Sequence, residues 1–166
     1  MTIKTLNKLA FVAALSVFFA MISCDDKQFF DEYQSTNGDW SKSDIKKFSF
    51  EQIDTLSKYN LFVNIRNNSD YPYNNLFLIV KMSNPDGTAI VDTLQYQMAN
   101  PDGSLLGSGL TDFKQNKLFY REDFVFSKSG NYTIEIEHAV RENGSVKGDS
   151  LLTGISDVGF RIENIN

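Results

Sequence analysis

The chain has 166 residues, with 16 basic and 21 acidic side chains, one cysteine, one histidine and a formal net charge of −5. An acidic surface repels phosphate backbones, which excludes nucleic acid as a general partner, and a lone cysteine excludes a disulfide framework. A hydrophobic share of 42% with only 3 prolines excludes a low-complexity disordered chain.

The first predicted element is a secretory signal. Lys4 and Lys8 form a positive start without acids, residues 9–22 are an apolar run, and the run ends at Ser23-Cys24. A spanning helix needs about 20 apolar residues, so this run is short for a permanent anchor. A small residue directly before the only cysteine is the pattern of a bacterial lipoprotein signal, with Cys24 as the acylated first residue of the mature chain. Residues 1–23 would then be removed, and two or three acyl chains on Cys24 would give lasting attachment. The mature chain keeps 14 basic against 21 acidic residues, a net of −7.

Residues 24–39 are expected to be the lipidated N-terminus and a polar tether, carrying Asp25, Asp26, Asp31, Glu32 and Asp39 and interrupted by Phe29, Phe30 and Tyr33. The acidic pair after Cys24 suits either a sorting signal or a solvated linker. Residues 40–166 are expected to form one domain.

Strand character dominates that domain. Residues 45–52 alternate around Phe48 and Phe50, and residues 59–67 place Leu61, Val63 and Ile65 on one face. Residues 67–72 are a polar turn closed by Pro72. Residues 75–83 are a continuous apolar run, the pattern of a central strand covered on both faces. Asn84-Pro85-Asp86-Gly87 is a turn, and residues 88–98 return with Ile90, Asp92, Leu94 and Tyr96 on one face, so 75–98 reads as a hairpin. The same turn chemistry recurs at Asn100-Pro101-Asp102-Gly103 without flanking similarity, so it is no internal repeat. Residues 104–112 are Gly-rich without a phosphate-loop pattern and read as a bulge or loop.

Residues 117–127 form a further strand, and residues 130–138 the most regular one, with Tyr132, Ile134 and Ile136 facing one way. The Gly130-Asn131-Tyr132 opening resembles the tyrosine corner of Greek-key sandwiches. Residues 141–149 are a polar loop, and residues 151–162 close the chain. With no sustained helical period, the fold class is all-β, an antiparallel immunoglobulin-like β-sandwich of about seven strands.

The search for chemistry returns no catalytic residues, no cofactor site and no metal site. His138 is the only histidine, no thiol remains after acylation, and no D-x-D-x-D-G run or G-x-S-x-G elbow occurs. Asp54, Asp92 and Asp157 sit among apolar neighbours, but turn-capping suits them better than paired acid–base work. Arg66 and Arg161 are expected to pair with an acid such as Asp54 or Asp157 and to fix strand register. Trp40, Tyr71 and Tyr73 are the candidates for an exposed partner or glycan patch.

Several stretches together resemble the gliding-motility lipoprotein GldH family of the Bacteroidetes. They are Trp40, Phe48-Ser49-Phe50, Asp54 with Tyr59, Arg66-Asn67, Tyr71-Pro72-Tyr73-Asn74-Asn75-Leu76 and Asp92-Thr93-Leu94. The series continues through Gly107-Ser108-Gly109, Gly130-Asn131-Tyr132 and Leu152-Thr153-Gly154-Ile155-Ser156-Asp157-Val158-Gly159. One departure is Leu105, where the family commonly has Trp. The resemblance implies a non-enzymatic envelope lipoprotein needed for gliding and for the secretion system linked to it, with other envelope proteins of that machinery as partners. The expected location is the outer membrane, facing the periplasm. A surface glycan-binding sandwich is the alternative, and a tethered hydrolase the third reading.

Overall fold

The computed structural model describes residues 27–109, 112–140 and 148–165. Cys24, the signal at 1–23 and most of the loop at 141–149 lie outside the described residues.

Ten strands follow one another: β1 (Gln28–Ser35), β2 (Asp39–Ser41), β3 (Lys46–Gln52), β4 (Lys58–Asn67), β5 (Asn75–Ser83), β6 (Ala89–Gln97), β7 (Lys114–Val125), β8 (Gly130–His138), β9 (Leu151–Thr153) and β10 (Ile155–Asn164). Every pairing is antiparallel. One sheet has the order β1-β10-β4-β7, the other β3-β8-β5-β6, and β2 pairs with β9 as a small ribbon. The inner faces meet in one core. Phe48 and Phe50 of the second sheet stack on Phe160 of the first, with ring centroids 6.3 and 6.5 Å apart. Alternation dictates this arrangement: β3 buries Phe48 and Phe50 while Lys47, Ser49 and Glu51 stay in water.

The hairpin, the regular strand Gly130–His138 and the all-β class stand as expected. The Tyr132 hydroxyl donates to the Lys128 carbonyl at 2.8 Å, which is the corner that ties the β7–β8 connection to its strand. The two Asn-Pro-Asp-Gly turns are built alike. In each, the Asn amide donates to the carbonyl four residues on at 2.8 Å, and the Asp carboxylate accepts from the following hydroxyl at 2.6 Å.

Three expectations need correction. Residues 28–35 are no tether: β1 is an edge strand, held by Arg161 Nη1 donating to Asp31 Oδ2 at 2.6 Å and by Phe30 packing 5.3 Å from Phe50. Its partners lie across the chain, so no local pattern marks it. β5 is central in its sheet, but only Leu76, Leu78, Val80 and Met82 are buried. Its other face carries half-buried Phe77 and Ile79 and exposed Lys81. Arg161 pairs with Asp31 and Glu163, not with Asp54 or Asp157, whereas Arg66 does lie 4.0 Å from Asp157 and also covers the Tyr33 ring.

The sandwich has two ends. One gathers Gln28, the β3–β4 turn and Asn164, since Gln28 pairs with Glu163 and Asn164 with Tyr59. The other gathers the end of β4, the start of β5, the end of β6 and the β2–β9 ribbon.

Candidate functional site

The site forms at the second end. Leaving β4, the chain turns at Asn68, whose side-chain oxygen accepts the Asp70 amide at 3.0 Å. The turn then crosses directly over Gly154, where an added Cβ would lie 2.7 Å from the Asp70 carbonyl carbon. Only a residue without Cβ fits there, and its φ of +77° suits glycine as well.

This approach sets Tyr71 into the core, with its hydroxyl donating to the Asn75 carbonyl at 2.7 Å. Burial, with Tyr73 and Asp149 beside it, pushes the Tyr71 phenol well above its ordinary value, so it acts as a neutral donor. Tyr73 packs edge-on against Tyr71, centroids 6.0 Å apart, and its hydroxyl donates to Asp149 at 2.5 Å. The Asn74 carbonyl then accepts the Met98 and Ala99 amides at 2.7 and 3.2 Å, binding this segment to the end of β6.

Between these two segments opens a groove of about 790 Å³. Its polar lining comes from the carboxamide residues Asn74, Asn75, Gln95, Gln97 and Asn100, with Tyr73 beside them. Pro72 and Pro101 contribute to its walls. Carboxamides offer donors and acceptors without charge. They suit peptide groups or hydroxyls, and they do not exchange protons near neutral pH.

The residues singled out in the sequence meet different fates. Trp40 is fully buried, donates Nε1–H to the Asp44 carbonyl at 2.8 Å, and packs 5.2 Å from the His138 ring. Tyr71 is buried and Tyr73 half-buried. The exposed aromatic row needed for a glycan patch is therefore not formed by these three, because their rings serve the core and the loop that frames the groove. Cys24 lies outside the described residues. His138 is buried, and burial lowers its pKa below the ordinary imidazole value. Asp54 caps its turn, where the Ser57 hydroxyl and the Leu56 and Ser57 amides hold its carboxyl at about 2. Burial works to raise the Asp92 carboxyl, but the Tyr120 hydroxyl and Arg121 together leave it below its ordinary value. Among the described residues no group of three His, Cys, Asp or Glu is placed to hold a metal.

The groove carboxamides were not legible beforehand. Asn75 reads as the start of the apolar run 75–83, Asn100 as turn chemistry, and Gln95 and Gln97 lie on the face of their strand opposite Leu94 and Tyr96. The β5–β6 register sets Asn75 opposite Gln97, and the crossing of Asn74 to Met98 adds Asn74 and Asn100 to them.

The family model described as GldH lipoprotein matches residues 28–162. The chain belongs to the GldH lipoprotein family. Its relatives include the gliding motility lipoprotein GldH of Flavobacterium johnsoniae, 53% identical over 86% of this chain and 89% of that protein. The GldH homolog of Christiangramia forsetii is 48% identical over 91% of this chain and 96% of its own length. The GldH match begins at Gln28, the first residue of β1, so the family domain takes in the strand that the sequence had suggested was a tether. Among solved structures, a family GH115 4-O-methyl-alpha-glucuronidase matches at 13% identity with a TM-score of 0.44, over 86% of this chain and 18% of that one. So slight a likeness carries no argument.

Proposed function

We propose that this protein is a lipid-anchored, non-enzymatic component of the cell envelope that serves the assembly of the gliding apparatus and of the secretion system associated with it. The observation that carries the reading is the 53% identity, over nearly the whole sandwich, to a protein named for gliding motility. The uncharged groove fits the same role, since its chemistry is that of docking a peptide segment. Anchoring is by acyl chains on Cys24, at the outer membrane and facing the periplasm. The partners are other envelope proteins of the machinery, received at the end of the sandwich that carries the groove.

The test is genetic. Deleting the gene should abolish colony spreading and the export of surface adhesins, and restoring the intact gene should return both. A Cys24→Ala copy should be made but fail to restore them. Normal spreading in the deletion strain would refute the reading.

A further inference from the structure

The end of the sandwich opposite the groove has a feature that lipid attachment alone does not require. The β3–β4 turn presents Leu56 and Ile53, 88% and 76% exposed, the two most exposed large apolar side chains among the described residues. Phe29 and Ile165, each 38% exposed, stand at the same end. Phe29 packs 5.4 Å from Tyr59, and the Ile165 amide reaches the Lys58 carbonyl.

The turn is held in one shape from within. Gln52 Oε1 accepts the Ile53 and Asp54 amides at 2.9 and 3.1 Å, and Asp54 Oδ1 accepts the Leu56 and Ser57 amides at 2.8 and 3.0 Å. The Ile53, Asp54, Leu56 and Ser57 amides are thus satisfied within the turn, while the two aliphatic side chains stay exposed. With those amides paired, the Ile53 and Leu56 side chains can leave water while the ionised Asp54 carboxylate of the same turn stays at the polar headgroups.

The chain length sets what those tips face. Lys27 is already fixed in the fold, its carbonyl accepting the Asn164 amide at 2.8 Å. Cys24 stands three positions earlier, so its Cα lies within about 11 Å of Lys27 even at full extension. The headgroup zone of a bilayer leaflet is itself roughly 5–8 Å deep. A cysteine acylated at that level leaves no room for the domain to float free.

We propose that this end docks on the bilayer that holds the Cys24 acyl chains, with Ile53 and Leu56 inserted at the headgroup–acyl boundary. The inference rests on acylation of Cys24 and adds an orientation to it. A ten-residue strand such as β4 makes the sandwich about 33 Å long. The groove is therefore held about that far above the membrane, open to partners. Apolar insertion rather than charge carries the docking, since Asp54 and Asp123 offset Lys58 at this end.

The full lipidated protein tests this, reconstituted in phosphatidylcholine–phosphatidylethanolamine vesicles that contain a nitroxide-bearing phospholipid. An acylated Cys24 has no thiol, so Leu56→Cys and, separately, Asn74→Cys each provide one site for an environment-sensitive fluorophore. The label at 56 should be blue-shifted and quenched at least twofold more than the label at 74. Ile53→Asp with the label at 56 should lose most of that difference while Trp40 fluorescence stays native. Equal quenching at 56 and 74 in vesicle-bound protein overturns the docking, and leaves the apolar tips to a protein partner. Mass analysis of the N-terminal peptide reads acylation separately. An unmodified Cys24 overturns the anchoring reading, and the docking with it.

Discussion

Replacing Gly154 by alanine tests how the groove is framed. An L-residue at its φ of +77° costs about 1–2 kcal/mol. A Cβ there would also lie 2.7 Å from the Asp70 carbonyl carbon and from Tyr71 Cα, and would crowd the Tyr71 amide nitrogen as well. These are backbone atoms, so relief means moving the whole turn, and overpacking of this kind costs about 1–3 kcal/mol more. Gly154→Ala should therefore lose about 2–5 kcal/mol. Gly38 is the control: its φ is +93° but an added Cβ would meet nothing within 4 Å. Gly38→Ala should lose only the conformational share, about 1–2 kcal/mol. Urea unfolding followed through Trp40 gives both values at once, because Trp40 pairs with Leu152, two residues before Gly154. Equal losses for the two variants, at unchanged slope, would refute the claim that close approach over Gly154 sets the Tyr71–Asn75 segment.

His138 should make stability pH-dependent. Its pKa is lowered by burial, so below the ordinary value of about 6.5 the unfolded chain takes up a proton that the folded chain refuses. Stability should then fall as pH drops from about 6.5 towards the lowered native value, by up to about 1.4 kcal/mol per pH unit. His138→Leu should flatten that limb, and a wild-type profile flat between pH 6.5 and 5 would contradict the assignment. Tyr132→Phe should cost about 1 kcal/mol through loss of the bond to the Lys128 carbonyl, with the fold unchanged by circular dichroism. A loss below the error of the unfolding measurement would show the corner to be idle.

Where local chemistry alone sets the outcome, the sequence was sufficient. The alternation of Phe48 and Phe50, of Leu61 to Ile65 and of Tyr132 to Ile136 marks strands because a pleated chain sends alternate side chains to opposite faces. The Asn-Pro-Asp-Gly turns follow from proline's fixed φ, glycine's freedom and a carboxylate two residues from the amide it accepts. The all-β class and the family follow from those stretches and their order. What the sequence left undecided involved partners far along the chain. β1 is a strand because Asp31 meets Arg161, and Trp40 is core because it meets His138. Asn74 and Asn100 share the groove because the Asn74 carbonyl accepts from Met98 and Ala99. Amphipathic residues such as Trp, Tyr, Asn and Gln are at home in core or water, so their own identity cannot place them. Long-range pairing does, and it is also what set Ile53 and Leu56 at the same end of the sandwich as the short stretch that joins the domain to Cys24.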